Sequence, residues 1–232
     1  MNTRSQLVCA WVGVIAVVLI VVGFVVADYI PPPKANDTAT QLADFYRNHT
    51  DRTRIGIFVL LFGVAGFGTL VAGISIVMSR IEGRRPVLSV LQGVAGSGGF
   101  TCLLLFVLLL AAAAFRTNRS PEITQMLHDA GWFMAFLAIT PFIMQALSIA
   151  AVTLGDTSSE PVLPRWYGYF NAWIALLLLP GALLMFFKTG PFSYHGLLGF
   201  WVPLGAFGAW MLGMAWAIRK SALAEAAPAQ AA

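Results

Sequence analysis

Residues 7–27 read LVCAWVGVIAVVLIVVGFVVA, a run of 21 positions without a charge. At 1.5 Å of helical rise per residue, about 20 apolar residues cross the roughly 30 Å hydrocarbon core of a bilayer. Five further uncharged runs meet that length: residues 55–79, 87–115, 132–154, 166–187 and 197–218. Nothing else in the chain constrains its fold as strongly. In lipid every backbone N–H and C=O must be satisfied within the structure, which leaves helices or closed barrels. The six runs are continuously apolar and lack the alternation of barrel strands. The sequence therefore predicts an all-α, polytopic integral membrane protein, with residues 1–221 forming a single bundle of six transmembrane helices. The first run exceeds the roughly 7–15 residues of a secretory signal's apolar segment. It is read as a retained helix, although Val25-Val26-Ala27 resembles a cleavage site.

Charge supports this class. Only 10% of residues are charged, against about 25% in soluble domains. The net charge of +4 is scattered over ends and loops, without the basic cluster of a nucleic-acid partner. Arg outnumbers Lys 11 to 3 and Ala, Gly and Val abound, which suits a bacterial protein and hence a bacterial cytoplasmic membrane. Arg80, Arg84 and Arg85, with Arg219 and Lys220, are the densest basic positions. They place both termini in the cytoplasm and residues 28–54 outside.

Residues 28–54 carry three consecutive prolines, Pro31, Pro32 and Pro33, near their start and continue into a short amphipathic helix. Thr38 and Gln41 fit a capping box, and Leu42, Phe45, Tyr46 and His49 follow on one face. Such a helix suits the membrane surface or the mouth of the bundle. Ser120-Pro121 reads as the start of the fourth helix, which places His128 and Asp129 near the interface. Residues 222–232 read as a flexible tail.

No Asp, Glu, Lys, Arg or His lies centrally in any run. That argues against a proton-coupled pump, a retinal Schiff base and axial haem ligation, and leaves the cofactor unknown. Cys9 and Cys102 stand alone in apolar runs and read as small hydrophobes. Small-residue stripes suit helix association in lipid. They occur at Gly205, Ala209 and Gly213, at Ala65, Thr69 and Gly73, and at Gly93 and Ser97. The Val- and Ile-rich first helix lacks such a stripe and is expected at the periphery.

Two candidate sites emerge. His49, His128 and His195 are the only histidines, and the topology puts all three on the outer side with Asp44 and Asp129. Imidazole and carboxylate ligate first-row metals and exchange protons near neutral pH. His128, Asp129 and His195, closed by the helix bearing His49, thus form a candidate metal or acid–base site, though no HExxH-like spacing accompanies them. The second candidate is a cavity lined by Asn171, Gln145, Thr140 and Gln92, polar side chains that need partners in lipid. Pro141, Pro180-Gly181 and Pro203 should kink three helices around it. Asn171 should face another helix or an internal cavity, on a surface shared with Gly168, Ala175 and Leu178, and any cavity should open around the Pro180 bend. The expected function is binding of a lipid or hydrophobic small molecule, or service as a subunit of a larger membrane complex. Membrane lipids and other membrane subunits would be the partners. Alternatives are a membrane enzyme using the His/Asp site, or a facilitative transporter with a polar path past Asn171 and Gln145.

Overall fold

The computed structural model describes residues 3–229, which form helices and loops with no strand among them. The first span is α1 (Thr3–Val26), and a short α2 (Ala39–Asn48) follows it. α3 (Thr50–Glu82) and α4 (Val87–Phe115) are long and unbroken. The fourth span joins α5 (Pro121–Trp132) to α6 (Thr140–Gly155) through a π-helical turn, Phe133–Leu137. The fifth starts as α7 (Arg165–Leu178) and tightens into a 3-10 segment, Leu179–Phe186. The sixth enters through a second π turn, Leu197–Trp201, and continues as α8 (Val202–Ala229).

These make six helical segments long and apolar enough to cross a membrane. Their outer faces agree. Val8, Trp11, Ile15, Phe58, Phe62, Val90, Val94 and Trp173 are all exposed, forming an apolar belt far larger than a water-facing monomer tolerates. The chain is a multi-pass membrane protein.

The spans close a ring in chain order. α1 packs on α3, α3 on α4, α4 on α5 and α6, α6 on α7, α7 on α8, and α8 returns to α1. The α1–α3 seam corrects the expected peripheral place of the first helix. Gly13, Ala16 and Gly23 on α1 meet Leu70, Gly66 and Leu60 on α3, while Gly56 of α3 abuts Ala27. A Cβ on Gly56 would lie 2.3 Å from the Ala27 amide nitrogen, so only glycine admits this approach. The stripe on α1 is therefore present at mixed spacing, hidden among valines. On α8 the outcome is the reverse. Gly205 and Ala209 are exposed, and only Gly213 is packed, against Phe170.

The capping box of α2 forms as the sequence predicts. Thr38 Oγ1 accepts from the Gln41 amide at 3.3 Å, and Gln41 Oε1 accepts from the Thr38 amide at 2.8 Å. Ser120 precedes α5, but its hydroxyl bonds the Glu122 carboxylate rather than capping the backbone. Residues 222–229 continue α8 where a tail was expected. Arg80 pairs with Glu225 at 2.9 Å, and the Gln6 amide donates to the same carboxylate at 3.1 Å, tying this extension to α3 and α1. Residues 230–232 lie outside the described part.

Candidate functional site

Proline stands beside the point where each of three spans departs from regular α-helix. It lacks an N–H and clashes with the carbonyl four residues back. Pro141 sits in the first turn of α6, just after the chain leaves α-geometry at Phe133–Ile139. Pro180 stands where α7 tightens, and Pro203 lies in the first turn of α8. The freed backbone is re-bonded locally, with the Ala138 amide donating to the Phe133 carbonyl at 3.1 Å and Ile139 to Leu137 at 2.8 Å.

The three breaks meet. The 3-10 segment lies against both π turns. A Cβ on Gly181 would stand 2.5 Å from the Phe136 carbonyl oxygen, so the Pro-Gly pair has two tasks. Proline bends the fifth span, and glycine lets the bend touch the backbone of the fourth.

Irregular backbone does not fill space as helices do, and a cavity of about 60 Å3 remains at this junction. That is roughly four times what one water needs, but an apolar cavity of this kind stays dry. Its wall contains five phenylalanines, Phe24, Phe106, Phe136, Phe142 and Phe207, with aliphatic side chains and Pro203 between them. Leu178 lines it, as the face assignment around the Pro180 bend predicts.

The polar residues expected to line the cavity lie elsewhere. Asn171 is buried between α7 and α8: its Nδ2 donates to the Tyr167 carbonyl at 2.8 Å and its Oδ1 accepts from Trp210 Nε1 at 2.8 Å. It faces another helix, as its chemistry requires. Gln92 accepts from Ser75 across the α3–α4 seam. Gln145 presses against Gly96 of α4, its amide without a hydrogen-bond partner. Thr140 lines a separate, lipid-facing groove with Leu88 and Ser148. The three buried amides lie in helix seams, whereas the cavity wall is left to side chains that need no partner. Among the described residues, neither Asn171 nor Gln145 lines this cavity.

Above the cavity, toward α2, the aromatic layer becomes polar. Trp132 is fully buried, with ring centroids 5.3 Å from Phe106 and 5.7 Å from Phe136 on the cavity side. Tyr194 stacks on its other side at 5.7 Å and 8°. The Trp132 indole N–H donates to His128 Nε2 at 2.9 Å. An indole can only donate, so Nε2 accepts, and the neutral ring carries its hydrogen on Nδ1. Nδ1 then donates to the Tyr46 hydroxyl at 2.8 Å, and Tyr46 reaches Tyr29 at 3.0 Å. Burial first, and the neighbouring phenol second, hold Tyr29 well above the ordinary tyrosine range; Tyr46 is likewise raised, chiefly by burial.

The four proposed metal ligands share this end of the bundle but do not form one coordination sphere. Both nitrogens of His128 are engaged within the aromatic network. Asp129 accepts from the Tyr194 hydroxyl at 3.0 Å. His195 accepts from the Ala35 amide through Nδ1 at 3.0 Å, tying the proline-rich segment down. His49 bonds the Phe45 carbonyl and stands 3.5 Å from Asp28. Among the described residues no three His, Cys, Asp or Glu side chains stand close enough to hold a metal ion. The histidines instead fasten α2 and its flanks over the bundle mouth. The aromatic wall is not legible in the residues, because a phenylalanine in a membrane span suits the lipid face and the interior equally; only Pro141, Pro180 and Pro203 mark its place. Comparison with protein-family models, with curated proteins and with solved structures finds no match.

Proposed function

We propose that the protein binds an apolar molecule inside the membrane, in the cavity where the three helix breaks meet. One observation carries this reading: the cavity wall contains no polar side chain, although buried amides and hydroxyls lie in the neighbouring seams. Such a wall selects by shape and by loss of contact with competing polar groups, and it offers no group for proton transfer or metal binding. A hydrocarbon in this space would supply dispersion contacts to the side chains that line it. The binding protein would act in a bacterial cytoplasmic membrane with both termini cytoplasmic, the orientation favoured by Arg80, Arg84 and Arg85.

Photolabelling tests the reading. Palmitic acid bearing a terminal diazirine, irradiated with the protein in bicelles, should leave adducts on Phe136, Ile139 or Phe142. Val64→Phe and Ala135→Leu, which enlarge wall side chains, should each suppress those adducts while lipid-facing labelling persists. Labelling confined to the outer belt of the native protein would refute the proposal.

A further inference from the structure

A groove of about 350 Å3 lies between α1 and α8 on the lipid-facing surface. Three of its lining residues, Ile20, Leu204 and Phe207, also line the interior cavity. A wall one side chain thick therefore separates the cavity from the bilayer. On α8 the groove is bordered by Gly205 and Gly208, where an added Cβ would meet no atom within 4 Å. The α2 side is closed by contrast: Trp132 and His128 are fully buried above the cavity and Tyr46 seals them.

We propose that the occupant of the cavity is the hydrocarbon chain of a bilayer lipid, which passes laterally from the groove through the Ile20–Leu204–Phe207 wall. This rests on the apolar-binding reading above and adds the ligand's source and route. Adjacency of the two spaces, which share the Ile20, Leu204 and Phe207 side chains, selects the occupant. A second helix, about 10 Å across, could lie in the groove but could not continue into a 60 Å3 cavity. The end of a single alkyl chain can do both, leaving the rest of the chain in the groove and the headgroup outside. Trp201, exposed where α8 begins on the α2 side, borders the groove at the end where that headgroup would sit, and indoles favour the headgroup layer. The groove and wall then form a side entrance, with Gly205 and Gly208 keeping it clear.

Flash photolabelling with the same diazirine palmitate, at increasing times after mixing, separates route from site. Gly205→Leu combined with Gly208→Leu should slow the appearance of cavity adducts about tenfold, the effect of a barrier raised by ~1.4 kcal/mol, with the final level unchanged. Leu204→Ala should speed it. Both variants are checked for native thermal stability. If the cavity labels at the native rate in both, the side entrance is wrong while apolar binding stands. If the native cavity never labels, the binding reading fails and this proposal with it. A dimer in native mass spectrometry that the two leucines dissolve would assign the groove to a helix of a second copy and overturn the proposal.

Discussion

The Asn171–Trp210 pair allows a quantitative test of how the second half of the bundle is held. Both side chains are fully buried, and the indole N–H donates to Asn171 Oδ1 at 2.8 Å. Trp210→Phe leaves that oxygen unpaired, and Asn171→Leu leaves the indole N–H unpaired. Each orphaned group costs about 1–3 kcal/mol, on top of any packing change. The double variant carries neither group, so its loss should fall short of the sum. Interhelical hydrogen bonds in membranes average about 0.6 kcal/mol and reach about 1.7. Full burial and good geometry put this pair toward the upper figure, and the expected coupling is ~1–1.7 kcal/mol. Unfolding by sodium dodecyl sulfate in mixed micelles, followed by far-ultraviolet circular dichroism, measures all four corners of the cycle. Additivity within ~0.3 kcal/mol, the scatter of independent sites, would refute the assignment of Asn171 as the tie between α7 and α8.

Three further outcomes are expected. Gly56→Val should destabilise the bundle by about 1–3 kcal/mol or more, because its Cβ would meet the Ala27 backbone at 2.3 Å; an unchanged midpoint in the same titration would contradict the α1–α3 seam. Gln145→Leu should be neutral or stabilising by up to about 1–3 kcal/mol, since it removes a buried amide without partners; a clear loss would mean the amide is satisfied. Burial, which outweighs the opposing charge of Asp37, lowers the affinity of His195 for a proton below that of an ordinary histidine. Below about pH 6.5 the unfolded chain therefore takes up a proton that the folded one resists. This contribution is complete above that pH and is lost as pH falls toward the lower folded value. Protonation at Nδ1 also removes the acceptor for the Ala35 amide. Hydrogen exchange at Ala35, corrected for intrinsic rates, should rise between pH 7.5 and pH 5; equal protection at both would show that His195 does not hold this segment.

Six uncharged runs, the capped α2 and the positions of the proline breaks were legible in the residues alone. Each follows from local physics: hydropathy sets a span, a side-chain oxygen caps an amide two or three residues on, and proline lacks an N–H wherever it stands. The third span, residues 87–115, needed no neighbour to specify its ends. Even the inward face of Asn171 follows from the cost of an unpaired amide in lipid.

Which surfaces meet was decided only by the tertiary structure. Gly205 and Ala209 resemble a packing stripe more closely than Gly13 and Gly23 do, yet the first pair faces outward and the second lies in the tightest seam. In water, apolar residues point inward and periodicity reveals the buried face. In lipid both faces are apolar, so the pattern carries no such direction. The same loss of contrast hid the cavity wall, since Phe136 and Phe142 read no differently from Phe58 and Phe62 on the outer belt. The three histidines share one end of the bundle, yet each has its own partners. Tyr46 and Trp132 reach His128 from an overlying helix and from one turn along its own. Spacing alone cannot show that those two contacts use up the ring nitrogens a metal would need.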